Sequence, residues 1–222
     1  MLKKIILGII LLAIIAGSFI AYQGYRFLYK PNIKPESNLV FFIYSYDNYE
    51  SLKARLSDSK LLQNTHTFDW VAKKMNLPNH IYAGRYIIPS NANNKELVTL
   101  LRSGVQEPVK ITFNNIRTKE SLAQTIASQL ELDSVDIVER LYNETYAQKF
   151  GFTTENFASM FVPNTYEVYW NISADGLFQR FSKEYKAFWN GNRLEKAKKL
   201  NLSPIEISIL ASIVEKESAI LD

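Results

Sequence analysis

The rhythm of polar and apolar positions changes along the chain. Lys3 and Lys4 precede a charge-free run over residues 5–25. At about 1.5 Å per residue that run spans a hydrocarbon core of about 30 Å, so it predicts a transmembrane helix after a short tail, residues 1–4. Tyr22, Tyr25, Phe27 and Tyr29 are placed to form an aromatic belt at the outer interface. The two lysines favour an inside amino terminus, although Arg26, Lys30 and Lys34 on the far side reduce the contrast. A cleaved signal peptide with Ala16-Gly17-Ser18 at its processing site competes with this reading. The apolar run continues past that site, which favours an uncleaved anchor. Either way the remainder of the chain is exported.

After a linker, residues 26–37, containing Pro31 and Pro35, a strand-then-helix pattern recurs. Leu39–Tyr46 is predicted as a strand, followed by Asp47-x-x-Glu50 and a helix to about Leu56. Tyr86–Pro89 is followed by Asn93-x-x-Glu96 and a helix to Arg102. Val109–Phe113 is followed by Thr118 and a helix to Leu130. An Asx residue with Glu three positions later is the signature of a capping box. A further helix is predicted over about Thr67 to Met75. From Ser134 the pattern becomes mainly helical, with Phe161 to Trp170 as an aromatic loop entering a strand and Ala174 to Asn190 as an amphipathic helix.

The last helix is predicted from Pro204 to Leu221, with Ser203 as cap, Pro204 at the first position and Glu206 closing a capping box. At about 100° per residue, Leu210, Ile213, Val214 and Leu221 share one side, and Glu217 falls among them. Glu215, two residues away, points elsewhere, so the two do not make an acid/base pair. A carboxyl buried on an apolar face should titrate above its free value of about 4.3 and could act as a general acid. From periodicity alone, a solvated Glu near a fraying helix end is the stronger reading.

Composition narrows the class. The 222 residues are 47% hydrophobic and 22% charged, which is globular rather than disordered. The net charge of +4 is mild, and its basic residues are dispersed, so nucleic acid is not an expected partner. Without cysteine there are no disulfides or thiolate metal sites. His66 and His80 have no ligand spacing around them, and neither metal nor cofactor is expected. Trp70, Tyr82 and Tyr86 could stack on sugars, with an aromatic core or rim as the plainer reading.

Two segments carry a resemblance. Leu210-Ala-Ser-Ile-Val-Glu-Lys-Glu-Ser218, together with Phe161-Val-Pro-Asn-Thr-Tyr-Glu-Val-Tyr169, resembles the endolytic murein transglycosylase family (MltG, YceG-like). The order of segments is also similar: an anchor, a LysM-like region containing Tyr82-Ala-Gly-Arg-Tyr86, then a catalytic part. The resemblance implies an α+β fold. A single N-terminal transmembrane helix leads to a LysM-like α+β subdomain, residues 38–106. A mainly helical YceG-like catalytic domain, residues 107–222, follows; it is expected to be incomplete at its carboxy end, because the family continues further.

The resemblance also implies chemistry. Lytic transglycosylases carry Glu followed by Ser or Thr at the end of an apolar helical run, which selects Glu217-Ser218 and not Glu215-Lys216. Glu217 is then the catalytic residue, and Ser218, Tyr166 and Asn164 are candidate substrate contacts, with a core tyrosine as an equal alternative at Tyr166. The implied partners are peptidoglycan glycan strands at the outer face of the bacterial inner (plasma) membrane, along with cell-wall synthases and division proteins. A non-catalytic, membrane-anchored peptidoglycan-binding or scaffold protein is the alternative.

Overall fold

The computed structural model describes residues 2–34, 37–113 and 117–218, the side chains of Lys216 and Ser218 excepted. The chain is helix-rich with small sheets, and it divides into two compact units, Met1–Glu107 and Pro108–Asp222.

The first unit begins with α1, Leu2–Tyr29, which is long and apolar enough to cross a membrane and has no buried residue. Its last turns nevertheless touch the rest of the unit, through Phe27 and Leu28. Next come β1 (Leu39–Ile43), α2 (Tyr49–Asp58), α3 (Thr65–Lys74), β2 (Gly84–Ile88) and α4 (Asn94–Ser103). β1 and β2 pair antiparallel with Phe41 opposite Tyr86. Alternation sends Phe41, Ile43, Tyr86 and Ile88 to one face, where Leu52, Leu56, Phe68, Val71, Leu97 and Leu101 of the helices cover them. Each such side chain contributes about 1.5–3 kcal/mol on full burial. Gly84 opens β2 at φ +152°, and a Cβ there would lie 2.6 Å from Oε1 of Gln106, so only glycine fits this point of the Tyr82–Tyr86 segment.

The caps explain where the elements start, and one differs from the sequence pattern. Asn93 and Glu96 form the expected reciprocal box on α4. On α2 the box is Asn48 with Ser51, not Asp47 with Glu50. Asp47 is already committed. Its carboxylate accepts from the Tyr44 amide at 2.8 Å and the Ser51 hydroxyl at 2.9 Å, and it pairs with Arg55, whose guanidinium also donates to the Phe42 carbonyl. Glu50 turns instead to Lys53, 2.6 Å away. α3 starts earlier than its apolar periodicity suggests, because Asn64 caps it by accepting from the Thr67 amide.

The second unit holds β3 (Val109–Phe113), α5 (Lys119–Ala127), α6 (Ser134–Leu141), α7 (Glu144–Gln148), β4 (Asn164–Val168), α8 (Ala174–Phe188), α9 (Gly191–Lys199) and α10 (Pro204–Ser218). β3 and β4 pair antiparallel, with Ile111 opposite Tyr166. Their inner face meets an aromatic core in which Phe181 contacts Phe113, Phe161 and Tyr166 with ring centroids 4.9–5.6 Å apart. Thr118 caps α5 as expected. Leu221, predicted as the end of the last helix, lies outside the described residues.

Candidate active site

The helix that carries Glu217 is fixed at its start. The Ser203 amide donates to the Glu206 carboxylate at 2.7 Å, and the Glu206 amide donates back to the Ser203 hydroxyl at 3.2 Å. The amide and the hydroxyl of Ser203, both donating to it, hold the Glu206 carboxyl below its ordinary range. Ile205 then packs against the core of the second unit, and α10 meets the 3₁₀ turn Phe157–Met160.

Beyond this docked start the helix stands clear. Leu210, Ile213 and Val214 are 48%, 52% and 66% exposed. Glu217 is exposed as well, about 18 Å along the helix axis from Ile205 at 1.5 Å per residue. Among the described residues it has no hydrogen-bond or ion-pair partner. The apolar stripe expected around Glu217 is therefore present as a face of the helix, but it is uncovered. The water-excluding surroundings that the general-acid argument required are not supplied by the described residues. Ser218 is the last described residue of α10, and its side chain lies outside what the structure describes.

The remaining candidates belong to β4. Tyr166 is buried between Phe113, stacked at 5.5 Å, and Phe181. Its hydroxyl donates to the Val162 carbonyl, and burial pushes its pKa up to about 12. Of the two readings open at this position, the geometry is that of a core tyrosine with a satisfied hydroxyl. Asn164, by contrast, is exposed at the start of the strand, where its side-chain oxygen accepts from the Thr165 amide at 2.7 Å. Tyr86 and Trp70 are likewise occupied. Tyr86 is fully buried and donates to the Tyr82 carbonyl at 2.8 Å, and Trp70 meets Phe27 edge to face at 5.5 Å. Tyr82 stays on the surface.

A cavity of about 420 Å³ was not foreseen from the sequence. Pro163 and Phe161, from the Phe161–Tyr169 segment, line it together with Arg117, Lys119, Tyr142 and Glu155. The lining comes from separate stretches around residues 117–122, 142, 155–158 and 161–163, so no single local pattern announces it. Lys119 is largely structural. Its ammonium donates to the carbonyls of Leu141 and Thr154, which closes the carboxy end of α6, and burial pushes its pKa down. Tyr142 donates to Glu120 at 2.7 Å, which holds that carboxyl below its ordinary range. Ala158, in the turn that α10 packs against, also lines the cavity.

No cluster of His, Asp and Glu that could hold a metal is found among the described residues. His80 uses its Nδ1 on the Asn76 carbonyl at 2.9 Å, and His66 lies edge-on to Phe27.

The sequence model of the YceG-like family matches residues 41–222, from β1 through α10. The chain belongs to the YceG-like family. The match takes in most of both units of this YceG-like chain and leaves α1 outside. Among solved structures, the crystal structure of a YceG-like protein from Listeria monocytogenes aligns with it at 16% identity and a TM-score of 0.43. That alignment covers 77% of this chain and 61% of the other, so the chain spans less than two thirds of the length of that protein. No curated protein sequence matches it.

Proposed function

We propose that this YceG-like chain acts as a membrane-anchored endolytic lytic transglycosylase of nascent peptidoglycan, with Glu217 as its acid and base. One observation carries the reading: within a family match over residues 41–222, a Glu-Ser pair ends the apolar run of α10. Glu217 donates its proton to the glycosidic oxygen between MurNAc and GlcNAc, and the bond to the MurNAc C1 breaks. The resulting carboxylate takes the proton from the MurNAc 6-hydroxyl as that oxygen attacks C1 and closes the 1,6-anhydro ring. No water is consumed and no second carboxylate is needed, in contrast to the two-carboxylate glycosidases. The substrate's own acetamido group or a neighbouring hydroxyl, with Ser218 the nearest in sequence, stabilises the oxocarbenium-like charge. Tyr166 contributes by holding the Pro163–Asn164 corner, since its hydroxyl is engaged by Val162.

The exposed stripe of Leu210, Ile213 and Val214 sets a condition on this chemistry. A carboxyl works as an acid near neutral pH when water is excluded, so this face must be covered during the reaction. In the same reading α1 crosses the inner (plasma) membrane with its amino terminus in the cytoplasm, and the first unit, as a LysM-like module, holds glycan outside. Cell-wall synthases and division proteins are the protein partners this placement implies.

A scaffold that holds peptidoglycan without cutting it is the second reading, favoured by the exposure of Glu217 and its lack of partners among the described residues. Mass spectrometry of muropeptides released by the full chain separates the two. The enzyme reading expects 1,6-anhydro-MurNAc ends, reduced about 10²–10⁴-fold in Glu217→Gln, with glycan pelleting unchanged. Anhydro ends absent from the wild-type digest, with pelleting retained, would leave the scaffold.

A further inference from the structure

We infer that the joint between α1 and the rest of the first unit is a binding site for the phosphate head group of an anionic phospholipid, with Arg26 and Lys30 as its cationic ligands. The inference rests on the reading of α1 as a membrane-spanning helix.

The joint is a built structure, and a sequence explains why. The last turn of a helix leaves carbonyls without intrahelical donors. Here the Asn94 amide donates to the Phe27 carbonyl at 2.8 Å and to the Thr67 hydroxyl at 3.1 Å. Asn32 donates to Asn94 at 2.7 Å and to the Asn64 carbonyl at 2.9 Å, and accepts from the Asn64 amide at 2.8 Å. Asn32 and Asn94 are 4% and 1% exposed, so two satisfied buried amides lock the end of α1 to the starts of α3 and α4. Gly24 lies 3.8 Å from the Trp70 ring, measured from the position a Cβ would take, and Phe27 packs on the same ring.

Beside this lock lies a cavity of about 170 Å³, lined by Arg26, Lys30, Gln23, Gln63 and Asn64 among others. It is smaller than the roughly 300–1,000 Å³ of drug-sized ligand pockets, which suits a compact charged group. Among the described residues no acidic side chain lines it, and neither Arg26 nor Lys30 has an ion-pair partner. Two cations and the side-chain amides of Gln23 and Gln63 thus line one small space whose other described lining residues are neutral.

Its height points to the source of the anion. From Lys4 to Arg26 the helix rises about 33 Å, against a hydrocarbon core of about 30 Å. Lys3 and Lys4 at one interface therefore place Arg26 at the head groups of the other. Tyr22, Tyr25 and Tyr29 are exposed around it at the depth where aromatic side chains anchor helices. Lys95 adds a further cation on the same side of the unit, its ammonium 3.1 Å from the Tyr29 hydroxyl. Phosphatidylglycerol supplies the phosphate, whereas phosphatidylcholine masks its phosphate with a fixed cation.

The test uses the full chain in nanodiscs of mixed phosphatidylglycerol and phosphatidylcholine, released in mild detergent for native mass spectrometry. Retained phosphatidylglycerol should exceed phosphatidylcholine by about tenfold, following the attraction of each basic residue to an anionic surface. The double variant Arg26→Gln, Lys30→Gln should bring the two to parity. Lys183→Gln, Lys186→Gln, with the same loss of charge on exposed positions of α8, should leave the preference intact. Equal retention of the two lipids by the wild type, or an unchanged preference in the Arg26/Lys30 variant, overturns the inference. Displacement of the lipid by millimolar inorganic phosphate, with equal thermal stabilisation, would assign a free-anion site and overturn the lipid source. An alkaline carbonate wash that strips the chain from membranes would refute the anchor and the lipid site together. A chain that withstands the wash but fails the lipid test loses the lipid site alone.

Discussion

Two helices of this chain, α1 and α10, leave leucine, isoleucine and valine side chains exposed, and they differ in what those side chains need. In α1 the apolar residues surround the helix, and charges are confined to Lys3, Lys4 and Arg26 at its ends. Its 28 residues rise about 42 Å, enough to cross a bilayer. In α10 Leu210, Ile213 and Val214 share a face with Glu217, and Ser208, Ser212 and Glu215 occupy other faces. Its 15 described residues rise about 22 Å. A helix that is apolar all round is satisfied by lipid, which makes no demand on shape. A one-sided stripe with a carboxyl in it needs a cover that is specific in position. The two helices are also fastened differently. α1 is held at its end by buried amides, and α10 at its start by a surface capping box and Ile205.

Substitutions of opposite expected outcome sharpen this contrast. Ile14→Arg places a charge near the centre of α1, at a cost of about 3 kcal/mol if that helix lies in a bilayer. Alkaline extraction should then release the variant, while the same change at Ile213 of α10 should shift the unfolding midpoint of the chain very little. Retention of the Ile14 variant in membranes would remove the distinction between the helices.

Next in size is the fastening of α1. Asn94→Ala leaves the Phe27 carbonyl and one Asn32 proton unpaired in buried surroundings, and should destabilise the first unit by about 2 kcal/mol in urea melts. The corresponding change at α10, Ser203→Ala, removes an exposed cap and should cost about 1 kcal/mol. Hydrogen exchange would place that loss in the first turn of α10 and leave the first unit unaltered. A smaller effect belongs to the second unit. Asp175, on the first turn of α8, accepts from Tyr146 at 2.8 Å and from Arg140 at 3.1 Å, and these bonds hold its carboxyl below the ordinary range. A carboxyl depressed in the folded state contributes stability above its unfolded pKa of about 3.9, and that contribution is lost as pH falls through the folded value. Asp175→Asn should therefore lower the unfolding midpoint slightly near pH 7 and flatten its acid limb, the two proteins converging once the wild-type carboxyl is protonated.

Local signals were legible where one residue type had one use. Asn93 with Glu96, Thr118 ahead of α5 and Ser203 with Glu206 all cap as their spacing predicts, because the bonds they make lie within a single turn. Asp47 departs from its spacing for a tertiary reason. The carboxylate is drawn to Arg55 and the Tyr44 amide, and its neighbour Asn48 takes the cap. The Phe161–Tyr169 segment was legible as a unit, but the burial of Tyr166 against Phe113 and Phe181 was not, since those partners come from β3 and α8. The cavity beside Pro163 was illegible for the same reason.

By itself, the sequence determined the apolar span of α1, the alternation of the strands, most helix starts and the Glu-Ser pair that ends the run on α10. These depend on periods of two or 3.6 residues and on contacts within one turn. Only the tertiary structure decided which faces were covered. It buried Asn32 and Asn94 at the foot of α1, although a polar residue in a linker and one at the start of a helix would pass for solvated ones. It also left Glu217 exposed on a stripe whose periodicity suggests burial. A helical pattern states that one face is apolar; whether anything lies against that face is fixed by the packing of distant elements.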